Sequence, residues 1–341
     1  MSLNFRSKFM VFTLLLLVVT CEVHAKKFVV GIIPYLPAGE FIVADRKGFY
    51  KEEGLDVDSI YYTSTGDWVR ALAKGKLHFS GLWNATQVDM YYRGSNAKRI
   101  ALMSFDSGDY SFIVKKGLTP ANLVGKRVAV FSDYFGTHWF IHNYMKSGGR
   151  SLNDVQLIEM TNSAAYKNFN NDRVAGMIFN GKYMNQALDT GRGAKAKIDQ
   201  DLYLAATTGG PSYFGNEEDL TRSELKKFLR AWVKAMKWIE DDKNDDEYEK
   251  MLKSAFEGHL ELVGLEKEAS YRERKPRKML VSLKDMYVVN KNMGAMFEKL
   301  VSVRSDMGFS DTPNYVKSKM YDNSLILEVL EEMGYGKKGV R

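Results

Sequence analysis

Nine residues stand where chemistry with a small molecule could be done: Tyr35, Glu40, Thr65, Trp83, Asn84, Asp106, Ser132, Tyr134 and Thr137. Most of them fall in four stretches, 34–40, 64–68, 82–86 and 132–138, where a β-branched run gives way to a helical pattern. A helix start exposes backbone N–H groups and the positive end of the dipole, which suits an anionic or oxygen-rich group. Thr65, Asn84, Ser132 and Thr137 can add side-chain donors there. The plainer reading of Thr65 and Thr137 is that they cap their helices, and both readings stand at this point. Tyr35, Trp83 and Tyr134 lie at strand ends, where flat rings can wall a planar or amphipathic ligand, whereas Trp68 and Trp139 fall inside helical spacing and read as core. Glu40, Asp106 and the nearby Asp109 are carboxylates that need a partner if a cleft closes over them. An amino group on the ligand would supply one; the alternative is a first-turn dipole residue at Glu40 and solvated aspartates in a hinge.

Other chemistry is not supported. His138 and His142 share one helical face at the spacing of a zinc pair, but Trp139 occupies the place of the hydrolase glutamate and no third ligand follows, so packing or capping is the reading. The run 272–278 (RERKPRK) has a proline in its middle and reads as a solvated loop rather than a nucleic-acid patch. Nucleophile-elbow, P-loop and complete dinucleotide motifs are absent. No catalytic residue, metal or cofactor is therefore expected.

The elements that would position the nine residues alternate. Residues 27–33 (KFVVGII) form an unbroken apolar run, the pattern of a strand buried on both faces of a parallel sheet. A helix is expected over 40–50, a strand over 55–61, a helix over 64–74 opened by the S-x-x-D capping box of Ser64 and Asp67, a strand over 77–82, a helix over 86–92 and a strand over 100–104. The pattern restarts at 110–115 with a strand, a one-turn helix begun by Thr119 and Pro120, a strand at 126–131 and a helix at 137–146. Strands are expected at 155–160, 174–179 and 202–207, after which Gly209-Gly210-Pro211 breaks the series. From the capping box of Thr221 and Glu224 onward the chain is helical, with Phe228, Leu229, Trp232, Ala235, Met236 and Ile239 on one face. These C-terminal helices have no sheet of their own, and covering the first sheet is the simplest use for them.

The chain of 341 residues suits two lobes, since domains run about 100–200 residues. Its 45% hydrophobic and 27% charged residues belong to a packed globular protein. A net charge of +7, spread along the chain, does not imply a nucleic-acid partner. Residues 1–25 read as an export signal, with Arg6 and Lys8 ahead of the apolar run 11–19 and Val23-His24-Ala25 as the cleavage site. Cys21, the single cysteine, could instead be a lipid-modified terminus, although Thr20 fits poorly before it.

Several of these segments resemble one family. Ile32-Ile33-Pro34-Tyr35 and residues 41–57 (FIVADRKGFYKEEGLDV) are similar to the opening of the periplasmic solute-binding proteins of ABC importers for sulfonates, nitrate and thiamine-pyrimidine precursors. Residues 71–79 (ALAKGKLHF) resemble a further segment of that family, with His78 where aspartate is common, and residues 123–130 (LVGKRVAV) resemble the start of its second lobe. The resemblance implies an α/β, two-lobed type II periplasmic-binding-protein clamshell with a helical C-terminal third. Lobe 1 would be discontinuous, 26–108 and 213–341, with lobe 2 inserted at 109–212 and a hinge near 105–110 and 207–214. It further implies a monomer in the periplasm that binds a small-molecule ligand without catalysis and delivers it to an ABC permease in the inner membrane. A membrane sensor kinase is the alternative partner, and a pyrimidine-phosphate synthase is the enzymatic alternative. The intracellular synthases carry a cysteine-rich run that this sequence lacks.

Overall fold

The computed structural model describes residues 27–33, 38–62, 65–102, 110–130, 135–215, 220–257, 281–308 and 317–336. The first series contains β1 (Lys27–Ile32), α1 (Gly39–Arg46), α2 (Phe49–Glu52), β2 (Asp56–Tyr61), α3 (Thr65–Ala73), β3 (Phe79–Trp83), α4 (Asn84–Tyr92) and β4 (Lys98–Arg99). The second contains β5 (Tyr110–Lys115), α5 (Pro120–Leu123), β6 (Arg127–Val130), α6 (Phe135–Ser147), β7 (Gln156–Glu159), α7 (Asn162–Asn170), β8 (Gly176–Asn180), α8 (Gly181–Asp189) and β9 (Gly193–Lys195). There follow α9 (Gln200–Thr207), β10 (Gly209–Tyr213), α10 (Arg222–Glu240), α11 (Asp245–Ala255), α12 (Leu283–Lys291), α13 (Met293–Asp306), α14 (Lys317–Met320) and α15 (Ser324–Glu332).

Two sheets result, ordered β2-β1-β3-β10-β4 and β7-β6-β8-β5-β9. They share one plan. In each, the first three strands are parallel, and the fourth position holds an antiparallel strand, β10 in one sheet and β5 in the other. Each of those antiparallel strands is the first strand laid down after the chain passes from one sheet to the other. The chain thus crosses twice, between β4 and β5 and between β9 and β10.

Four local expectations are corrected, the first being the strand expected over 100–104: it lies at Lys98–Arg99, and residues 100–102 are outside it. The stretch 40–50 is not one helix: Gly48, at φ 75°, adopts a left-handed conformation that ends α1 and starts α2. Residues 202–207 form helix α9 and not a strand; Asp199 caps it by accepting from the Leu202 N–H at 2.7 Å. A short apolar run has no decisive period, so the cap decides. Gly209-Gly210-Pro211 does not break the chain but forms β10, all five residues of which are buried. A Cβ on Gly209 would come 2.8 Å from the Leu82 carbonyl oxygen, and one on Gly210 would collide with the Ala101 carbonyl. The glycines are there because neighbouring backbone approaches too closely for any side chain.

Helix α10 builds the first core as its periodicity predicts. Phe228 stacks on Phe79 of β3 at 3.8 Å between ring centroids and on Tyr50 at 5.5 Å, and Leu229, Trp232, Met236 and Ile239 are buried alongside. The Thr221 box forms as expected: the Thr221 hydroxyl accepts from the Glu224 N–H at 3.2 Å, and the Glu224 carboxylate from the Thr221 N–H at 2.8 Å. The C-terminal helices do not all cover the first sheet, however. Met293, Phe297 and Leu300 of α13 share a core with Ala85 and Val88 of α4, Trp139 and Phe140 of α6, and Ala205 and Ala206 of α9. That core also holds Phe112, Val128 and Ile178 of the second sheet, so the helix that follows β3 of the first sheet is joined to the second by packed apolar side chains.

Candidate strand-end site

Helices begin directly past the carboxyl ends of strands in both sheets: α1 after β1, α3 after β2, α4 after β3, and α6 after β6. This is the edge at which open α/β sheets bind ligands. Of the residues expected there, Tyr35, Asp106, Ser132 and Tyr134 lie outside the described residues, as do Ser64 and Asp109. Thr65 is the first residue of α3.

Trp83 and Asn84 adjoin with no loop between them, Trp83 half-buried as the last residue of β3 and Asn84 fully buried as the first of α4. The Asn84 backbone N–H donates to the Thr208 carbonyl at 2.8 Å, and its side-chain amide donates to the Ala205 carbonyl at 3.1 Å. Asn84 therefore ties the first sheet to α9, the segment by which the chain returns. Its Oδ1 is buried without a hydrogen bond. Thr137 is buried in the first turn of α6, the helix that packs on α4. Asn84 thus opens a helix, α4, that packs on both α6, which carries Thr137, and α9.

Glu40 lies in the first turn of α1, where that helix packs against α10 and α11. Its relative exposure is 0%, and neither carboxylate oxygen has a hydrogen-bond partner. Burial pushes the carboxyl well above its ordinary range, and its own backbone N–H opposes this only in part. Beside it, a side chain on Gly39 would run into the Tyr248 hydroxyl, so α1 starts against that phenol. Tyr50, whose hydroxyl is also buried without a partner, is pushed upward chiefly by burial and secondarily by Asp45.

Sequence reasoning missed the polar groups that hold the crossings. Arg99 of β4 is fully buried and donates to the Leu82 carbonyl at 2.7 Å and to the Gly210 carbonyl, clamping β3 and β10 together. Asn290 of α12 accepts from the Leu102 N–H at 2.7 Å and donates to the Leu102 carbonyl at 3.0 Å, pinning the backbone just before the first crossing. The Ser212 hydroxyl donates to Gln87 at 2.8 Å, and Gln87 donates to the Ala97 carbonyl. A lone arginine or asparagine in an apolar stretch carries no signal of such a role; only the strand order reveals it.

His138 and His142 are buried at 7% and 5% exposure. Neither His142 ring nitrogen has a partner, and burial with the nearby Lys146 lowers its pKa, against the opposing pull of Asp306. Among the described residues no group of three or more histidine, cysteine or acidic residues could hold a metal, and no helix is long and apolar enough to cross a membrane.

Residues 38–244 match the protein family described as NMT1/THI5 like. No curated protein sequence matches the chain. Among solved structures, the alkanesulfonate-binding protein SsuA from Xanthomonas axonopodis pv. citri, bound to MOPS, is similar with a TM-score of 0.64 and 11% identity, over 87% of this chain and 98% of that one. The periplasmic nitrate-binding protein NrtA from Synechocystis PCC 6803 is similar with a TM-score of 0.64 and 15% identity, over 93% and 91%. A Candida albicans gene product described as having the generic periplasmic binding protein structural fold is similar with a TM-score of 0.62 and 13% identity, over 90% and 95%. At these identities the likeness is one of fold: the chain has the two-lobed α/β periplasmic binding protein fold.

Proposed function

The chain belongs to the NMT1/THI5-like family, and from that membership we propose that it is an exported, non-catalytic solute-binding protein that captures a small polar organic molecule and presents it to an ABC permease. Residues 1–25 direct export to the periplasm; 26–108 with 213–341 form one lobe, and 109–212 the other. The observation that carries this reading is the shared plan of the two sheets, joined by two crossings, with helix starts past the strand ends in both. Two such sheets can close over a solute, and a closed form held by ligand is a state that a permease can distinguish from the open one.

The sulfonate and nitrate carriers among the structural neighbours are named for anions. A helix start with a buried, unpartnered acid such as Glu40 favours a ligand that brings a hydrogen-bond donor. The solute is therefore of the nitrogen-bearing class, an amine or an amino-heterocycle of the thiamine-precursor type, a sulfonate being acceptable only with an amino group, as in taurine. Tyr35, Trp83 and Tyr134 wall it, and Thr65, Asn84, Ser132, Asp106 and Thr137 supply polar contacts.

A melting screen of the protein against aminopyrimidines, taurine, ethanesulfonate, nitrate and flavins tests this. A ligand at a hundred times its dissociation constant adds about 2.7 kcal/mol of stability. Aminopyrimidine or taurine should raise the melting temperature and ethanesulfonate and nitrate should not. A shift with the plain anions alone contradicts the assignment of Glu40, and no shift with any compound contradicts the ligand class.

A further inference from the structure

The end of the second sheet opposite its helix starts is strongly basic. Backbone bonds gather four segments there. The Gly125 N–H donates to the Asp154 carbonyl at 2.7 Å, Lys116 N–H to the Arg192 carbonyl at 2.8 Å, and Ala175 N–H to the Arg127 carbonyl at 2.8 Å. Segments 115–127, 146–156, 171–175 and 189–195 carry nine Lys and Arg against three Asp, which is most of the chain's net charge of +7. Their acids are largely engaged: Asp154 accepts from the Ser151 N–H at 2.8 Å, and Asp172 pairs with Lys115. Lys116, Lys126, Arg127, Arg150 and Arg173 are exposed, and beside them Val124 presents a large apolar side chain at 45% exposure.

We propose that this pole docks on an anionic phospholipid surface, its basic side chains on headgroup phosphates and Val124 seated among them. Charge complementarity selects the occupant. Each Lys or Arg near an anionic membrane adds about fivefold to partitioning, an attraction that fades within a Debye length. The four segments contain no aromatic residue, so they offer no stacking platform for single-stranded nucleic acid. The pole lies at the strand starts, so docking leaves the solute edge uncovered, and the inference stands whatever the solute is.

The test uses the full chain with Cys21→Ser and Val124→Cys, labelled at that cysteine with a solvatochromic dye. Vesicles of phosphatidylcholine with about 30% phosphatidylglycerol should blue-shift the dye, pure phosphatidylcholine should not, and roughly 0.5 M salt should abolish the effect. The same dye at Val69→Cys, exposed on the first sheet's α3, should stay silent. Lys126→Glu, Arg127→Glu and Arg150→Glu together should lower partitioning by more than about 100-fold, and the milder Lys126→Gln with Arg127→Gln by about 25-fold, with unchanged melting in both. An equal shift at Val69, a shift with uncharged vesicles, indifference to charge reversal, or a duplex oligonucleotide engaging Val124 at lower concentration than the vesicles would each overturn the proposal.

Discussion

Two buried titratable side chains act on stability with opposite signs. Glu40 has a folded pKa raised above the ordinary 4.5, so between those two values the folded chain holds a proton that the unfolded chain has released. Stability therefore falls as pH rises through that window, by up to about 1.4 kcal/mol per unit. Glu40→Gln removes the titration. The stability of the variant relative to the parent is expected to grow as pH rises from about 4.5, and the variant to bind any amine-bearing solute more weakly; urea melts at steps between about pH 5 and 8 check the first, and a difference that stays constant over the whole range would contradict it. His142 runs the other way, because its folded pKa lies below the ordinary 6.5 and the unfolded chain takes up the proton first. Stability is lost as pH falls below about 6.5. His142→Gln should flatten that acid limb while leaving the Glu40 limb intact, which melts at pH 5 and pH 7 would register.

The elements show why some of this was readable in advance. The strands β1 and β6, the cap at Thr221 and the buried face of α10 all follow from short-range rules, because apolar runs, caps and helical spacing each act within a few residues. β10 was not readable, since Gly and Pro signal a turn wherever sequence alone is judged. Their actual cause is the Ala101 and Leu82 backbone lying against them, a contact more than a hundred residues away in the chain. Gly210→Ala is accordingly expected to destabilise by about 1–3 kcal/mol through overpacking, more than its loss of flexibility alone would predict. Denaturant melts that show a neutral or stabilising change would mean that β10 can shift away from Ala101. The site follows the same division. Helix starts past strand ends were legible, and so was the place of Glu40 in the first turn of its helix. Arg99 and Asn290, which hold the crossings, depend on which strands meet and left no local trace.

At the scale of the molecule, the account makes the ligand a bridge between two lobes whose junction is a packed core of α4, α6, α9 and α13. Converting a chain that is 1% closed into one that is 99% closed needs about 5.5 kcal/mol of differential affinity. That demand falls on contacts from both sheets, since a solute held by one lobe alone shifts nothing. Labels at Val69→Cys and Val124→Cys, in a chain carrying Cys21→Ser, sit exposed, the first on α3 of the first series and the second shortly before β6 of the second sheet. The distance between them, measured by pulsed electron paramagnetic resonance with and without the screened compound that raises the melting temperature most, tests the clamshell directly. A distinct second distance that grows with compound concentration is the predicted result; a single distribution that does not move while the compound is bound would contradict closure.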